Sequence, residues 1–313
     1  HRTGWYYPAC HWFHRLYARP SPRAIVDING PVWTNKHVSE LSVLGGAFSW
    51  AISLVLLRPL TLRHAPFQIA AVRIMAPATI FLLVVTVSGR WNEVADMSPS
   101  TVAAILGAAV LGVGAGEVLV ISAVPRIGPS RAYALASSYP LFAALLAITL
   151  FGETLTVSAG VGALMTVAGA AMLSIEPTPK PGFDFYSQWG FRASMGAALA
   201  LLAAMLFGLD LNLLTFALAE VSPEILNAVR MPVAMLGLHT AALVTGKRFA
   251  LVSLGRRDSV IALGSGFIAL VLGGYLFLVG IQQVGAARGG ALSATAPVFV
   301  LILSMIFLRE RPG

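Results

Sequence analysis

The chain has 313 residues, 57% of them hydrophobic and only 11% charged, with a mean hydropathy of +0.81. Soluble domains carry about 25% charged residues, so the composition excludes a soluble fold and places the chain in a lipid bilayer. The net charge of +8 is no nucleic-acid footprint, because the Lys and Arg lie in short loops and the amino-terminal tail, as membrane flanks do.

Residues 1–40 form an aromatic and basic tail, with Trp5, Tyr6, Tyr7, Trp12 and Trp33 among Arg2, Arg15, Arg19, Arg23 and Lys36. Pro8, Pro20, Pro22 and Pro31 break any long helix there. Such a tail suits the bilayer interface. Cys10 with His11 and His14 is too sparse a set for a metal, and Cys10, the single cysteine, excludes an internal disulfide. No cleavable signal is visible. The first methionine is Met75, so the chain is not expected to begin at a translation start.

From residue 41 onward, apolar runs recur at the roughly 20 residues needed to cross a hydrocarbon core. They predict helices at 41–60, 66–88, 101–124, 130–151 and 155–175. A Pro-rich linker over 176–190 follows, with Pro177, Pro179 and Pro181. Further helices are expected at 192–218, 223–246, 259–283 and 289–308. The second unit, 191–313, thus reads as four helices against five in the first, 41–175.

The two units are copies at one offset. Gly128, Arg131, Leu135, Pro140, Phe142 and Glu153 match Gly285, Arg288, Leu292, Pro297, Phe299 and Glu310 (285 − 128 = 157). Pro66, Arg73, Gly89 and Gly116 match Pro223, Arg230, Gly246 and Gly273. Five helices per copy is an odd number, so the second copy is expected upside down. The fold class is therefore an all-α polytopic membrane protein of two inverted five-helix repeats, with the tenth helix missing from this chain. Inverted repeats are typical of secondary transporters, whose site lies at mid-membrane between the halves. Pro140 and Pro297 interrupt equivalent helices in mid-membrane. Each frees a backbone carbonyl, which is tolerated only against protein or a cavity, so both are candidate gating elements.

The run ASSYPLFAALLAITLFGETLTVSAGVGALMTVAGAAML, its echo near the carboxyl end, and Gly152 with Glu153 after the proline-bearing helix resemble the EamA-like transporters of the drug/metabolite transporter superfamily. The resemblance covers about residues 41–313. It departs in the tail, in the absent tenth helix, and at Arg309, which stands where a Gly precedes Glu310. It implies ten helices around a central cavity and export or exchange of small metabolites, without naming the substrate.

Charge inside the membrane marks candidate substrate-binding residues. Arg73 and Arg230 sit about two turns into their helices; they either attract an anionic group or snorkel and cap a neighbour. Glu117 and Asp210 pair across the repeat with Gly274 and Ser53, and loss of symmetry at a costly residue favours function. A buried carboxyl suits coupling to a proton gradient; the alternative is a salt bridge, such as Asp210 with Arg230. Trp50, Tyr133, Tyr139 and Tyr275 are candidate aromatic walls, with Asn212, Asn227, Gln282 and Gln283 as polar contacts, although packing explains each aromatic taken alone. His239 reads as a hydrogen-bonded packing residue. No Gly-rich stretch has phosphate-loop spacing, and no catalytic residue, metal or other cofactor is expected.

The expected partners are a small-molecule substrate and the lipid bilayer, with proton coupling allowed, no nucleic acid, and a monomer or homodimer equally open. A multi-pass protein of the cell membrane is implied, of the inner membrane in a prokaryote. The expected function is secondary transport of a small organic metabolite, amino-acid-like or related. Anion exchange of phosphorylated compounds is the alternative within transport. A membrane-embedded enzyme needs paired carboxylates for a metal, which are absent; a structural subunit predicts no enclosed polar cavity, and complete pairing of the mid-membrane charges would favour it. Orientation stays open. The loops bearing Arg58, Arg63, Arg126, Arg256 and Arg257 are cytoplasmic by the positive-inside rule, against Arg90 and Arg288 on the other face; the resemblance implies the reverse.

Overall fold

The computed structural model describes residues 36–151, 186–244 and 254–308. The aromatic tail to residue 35, the helix expected at 155–175, most of the linker and Glu310 lie outside them. Every described element is helical. The first half comprises α1 (Lys36–Thr61), α2 (Pro66–Arg73), α3 (Met75–Val87), the short α4 (Trp91–Ala95), α5 (Pro99–Ala108), α6 (Glu117–Ile127), α7 (Pro129–Ala136) and α8 (Tyr139–Phe151). The second comprises α9 (Tyr186–Leu218), α10 (Pro223–Val244), α11 (Arg256–Gly266), α12 (Gly274–Val284), α13 (Ala286–Ser293) and α14 (Ala296–Leu303). Helix α1 starts five residues before the expected 41, and α9 begins at Tyr186, inside the stretch expected to be linker.

Six continuous helical runs among the described residues are long and apolar enough to cross a membrane: His37–Thr61, Pro66–Val87, Pro99–Ile127, Arg192–Leu218, Arg256–Val284 and Arg288–Leu308. Helix α10 is 22 residues long but carries Glu224, Asn227, Arg230 and His239. Large apolar side chains such as Val87, Leu236, Val244 and Phe307 point outward. Around a bundle of this hydropathy that surface faces hydrocarbon, not water.

Local backbone features recur at the same offset in both halves. π-helical stretches occupy Ala109–Gly116 and Phe267–Gly273, each joining two α-helices of one span. Gly128 and Gly285, with φ of 80° and 84° and ψ of 160° and 159°, turn the chain between the third and fourth spans. Only glycine occupies that region at low cost. Both proline-bearing helices break where expected, between α7 and α8 and between α13 and α14. At each break a hydroxyl covers a carbonyl three residues earlier: Ser138 Oγ donates to Leu135 O at 2.7 Å and Thr295 Oγ1 to Leu292 O at 2.7 Å.

Helix two holds a further break, at Ile74 between α2 and α3, where a single helix over 66–88 was expected. Pro77 explains it: a proline cannot bond the carbonyl four residues back, which is that of Arg73. The freed carbonyl rests against Gly266, where no Cβ would fit.

The halves exchange equivalent contacts. Trp50 of α1 packs on Gly273, and its repeat mate Phe207 of α9 packs on Gly116. Helix α8 contacts α13, and α14 contacts α7, so the two broken helices cross at their breaks. Pro297 is buried and Pro140 lies against Gly290; neither kink faces lipid.

Two groups of polar contacts between the halves mark the ends of the bundle. At one, His64 Nε2 meets Asp258 Oδ2 at 2.7 Å and Gly196 packs on Arg126 and Ile127, so the starts of α2, α9 and α11 lie together with the end of α6. At the other, Glu220 accepts from Ser98 N at 2.7 Å and from Ser98 Oγ at 2.6 Å. There Arg90 Nη2 donates to Ser222 Oγ at 2.9 Å and Arg288 approaches Glu40 at 3.8 Å. That end holds the starts of α1, α5, α10 and α13.

Candidate functional site

Beside the α7–α8 break, the halves line a partly open cavity of about 140 Å³. Its walls combine apolar and aromatic side chains (Trp50, Leu54, Tyr133, Phe207, Leu211, Phe277) with four charged ones, Arg73, Glu117, Asp210 and Arg230. Tyr133, Ser137 and Tyr139 reach it from the α7–α8 break, as a kink beside a cavity allows.

Each arginine is held by its own half. Arg230 Nη2 donates to both carboxylate oxygens of Asp210, at 2.8 and 2.7 Å. Arg73 pairs through Nη1 with Glu117, and its Nη2 donates to Ser53 Oγ at 2.8 Å. Ser53 Oγ in turn donates to Ser265 O of the other half at 2.9 Å. The geometry is one plan with two fillings: Arg73 reaches Ser53 and Arg230 reaches Asp210, and Asp210 is the repeat mate of Ser53 (210 − 157 = 53). The acid stands on the first span of the second half and on the third span of the first, where Glu117 faces the role that Gly274 leaves empty opposite. Arg73, Asp210 and Arg230 are 5%, 7% and 7% exposed. Buried charges are retained only when paired, and here each is.

Gly112 makes room for one of these acids. A Cβ there would run into the Asp210 carboxylate. The small-xxx-small spacing of Gly112 and Gly116 predicts close helix contact; Gly112 instead admits a carboxylate.

Among the described residues, a few buried polar atoms lack a partner: Nε of Arg73 and Arg230, Ser304 Oγ, and both amide atoms of Asn227. Asn227 lines the cavity and is 0% exposed. Leaving a buried polar group unpaired costs about 1–3 kcal/mol.

Of the expected site residues, the structure gathers Arg73, Arg230, Glu117, Asp210, Tyr139, Trp50 and Asn227 around one cavity. Trp50 spends its polar end on the scaffold, since Nε1 donates to Ala269 O at 2.9 Å. Tyr139 hydroxyl bonds Ser293 Oγ across the two broken helices. Tyr275 lies elsewhere. Its hydroxyl donates to Glu224 Oε1 at 2.6 Å, in a cluster with Arg90 near one end of the bundle. His239 Nδ1 contacts Met235 O at 2.9 Å within its own helix, a packing role. Sequence reasoning passed over Phe207 and Ser53 as liners or ligands; the offset that maps Trp50 onto Phe207 and Asp210 onto Ser53 was the available signal. No group of three His, Cys, Asp or Glu side chains suited to a metal occurs among the described residues.

A family model described as the EamA-like transporter family matches residues 38–175 and 194–313. An uncharacterized transporter of Archaeoglobus fulgidus is 25% identical over 234 residues, covering 75% of this chain and 77% of that protein. A crystal structure of 18% identity aligns with a TM-score of 0.65 over 89% of this chain and 91% of its own, a likeness of fold alone.

Proposed function

We propose that this chain, which belongs to the EamA-like transporter family, moves a small, amino-acid-like metabolite across the cell membrane by alternating access. The two halves act as inverted five-helix repeats rocking about the central cavity. Inversion is supported by the ends of the bundle: α2 starts beside α11, while their repeat mates α10 and α5 start together at the opposite end. Pro140 and Pro297, at the crossing of the broken helices, are the hinges that let the cavity open to one side at a time.

The observation that carries this reading is the cavity between the halves, lined by repeat-related arginines, each with a carboxylate. A structural subunit has no use for it, because charge in the membrane is costly. Glu117 and Asp210 are the groups able to carry a proton with or against the cargo. Binding that competes with the arginine for its carboxylate links cargo to proton, since a ligand shifts only an equilibrium in which it binds the two states differently.

Counterflow in proteoliposomes under an imposed pH gradient tests this. Replacing Arg73, Glu117, Asp210 and Arg230 together with apolar residues is expected to abolish transport; survival of transport in that variant refutes the site. Anion exchange of phosphorylated compounds is the reading to compare, and it fits less well because both arginines are already neutralised.

A further inference from the structure

We propose that Asn227 reads the cargo, and that the cargo carries no net charge and presents a hydrogen-bond donor beside an acceptor. The inference rests on the central cavity being the transport site. Three observations carry it.

The first is charge. The cavity's two cations are each satisfied by an acid, so a net anion entering it meets two carboxylates and no free countercharge. A zwitterion or neutral polar molecule brings no such excess.

Second is the unmet hydrogen bonding. Among the described residues, Asn227 Oδ1 accepts from nothing and Nδ2 donates to nothing, although the side chain is wholly buried on the cavity wall. An amide offers one acceptor and one donor side by side. Its complement is a group with the same pair reversed, such as an amide, a carboxylic acid or the ammonium and carboxylate of an α-amino acid. Arg230 lies one helical turn away on the same face, and its Nε is unpaired as well.

Third, the scaffold does not require the amide. Its repeat mate is Ala70 (227 − 157 = 70), buried at 2% exposure in the other half, so the same position packs with a methyl. The aromatic walls, Trp50, Tyr133, Tyr139 and Phe207, supply a surface for an apolar body.

The test uses the full chain, purified in detergent, with Asn227→Leu and the repeat-mimicking Asn227→Ala. Melting is followed without ligand and with millimolar L-serine, L-glutamine or phosphoenolpyruvate. Both variants are expected to melt no lower than the wild type when free of ligand, because an orphaned amide is removed. L-Serine or L-glutamine is expected to raise the wild-type melting temperature, with at least tenfold weaker binding to either variant; phosphoenolpyruvate is expected to leave it unchanged. Lower melting of both unliganded variants, equal binding to wild type and variants, a shift by neither amino acid, or a stronger shift by phosphoenolpyruvate overturns the proposal. Proteoliposome counterflow separates this from the transport reading. Asn227-dependent binding without counterflow ends that reading and leaves the binding site, whereas counterflow unchanged by Asn227→Leu ends the assignment of Asn227 alone.

Discussion

Single side chains in this protein are priced by the bilayer. Arg230 and Asp210 form a buried pair, and removing one partner leaves the other as an uncompensated charge, at about 3–5 kcal/mol. Arg230→Leu and Asp210→Leu are each expected to lower the melting temperature sharply, while the double variant recovers most of the loss; thermal unfolding in detergent reads the difference. Gly112→Ala places a methyl on the Asp210 carboxylate, and overpacking of this kind costs about 1–3 kcal/mol. Outside the spans, Glu93 accepts from Arg90 Nε and Nη2 at 2.5 and 2.8 Å. The Arg90 hydrogen bond, ahead of the opposing effect of burial, holds its carboxyl below the usual range. A depressed carboxyl stabilises the fold above its unfolded pKa and loses that contribution as pH falls through the folded value. The melting difference between wild type and Glu93→Gln is therefore expected near neutral pH and to vanish in acid.

At the scale of the element, the interruptions matter more than the helices. Pro140 and Pro297 break two spans at equivalent points, and the first of these breaks brings Tyr133, Ser137 and Tyr139 to the cavity. Pro140→Ala and Pro297→Ala restore a backbone donor and favour straight helices. They are expected to leave the protein folded, as read by gel filtration and far-UV circular dichroism, and to slow counterflow. Gly128 and Gly285 behave oppositely. Their backbone region is costly for any side chain, at about 1–3 kcal/mol, so alanine at either is expected to destabilise by similar amounts on melting. The break at Ile74 was legible from Pro77, yet the periodic apolar run across it reads as one helix, because hydropathy does not register a missing hydrogen bond. The π-helical stretches left no such trace, since they differ from α-helix only in which carbonyl each amide reaches.

For the whole molecule, the two ends differ in how the halves are tied. One is closed by the His64–Asp258 pair amid Arg63, Arg256 and Arg257; the other by Glu220 on the start of α5 and by Arg90 with Ser222 and Glu224. An acid at a helix N-terminus is favoured by the helix dipole. If the halves rock, a bifunctional cross-link between His64→Cys and Asp258→Cys is expected to stop counterflow, and reducing a cleavable linker to restore it. The charge distribution also predicts a side: with Arg58, Arg63, Arg256 and Arg257 at one end, an impermeant thiol reagent is expected to label Arg90→Cys and spare Arg256→Cys from outside the cell.

Sequence alone pointed to the bilayer, to the six membrane-length helices seen among the described residues and to the offset of 157, because hydropathy and a fixed offset are properties of the chain order. It also singled out Arg73, Arg230, Glu117 and Asp210, since charge in an apolar run is conspicuous wherever it ends up. Only the tertiary structure decided which charges pair, that Asn227 is left without a partner, and that Tyr275 belongs to a different cluster. The reason is that a partner lies across the fold: Arg73 meets Ser53 and Glu117, and Trp50 meets Ala269, through helix crossings that no local pattern encodes.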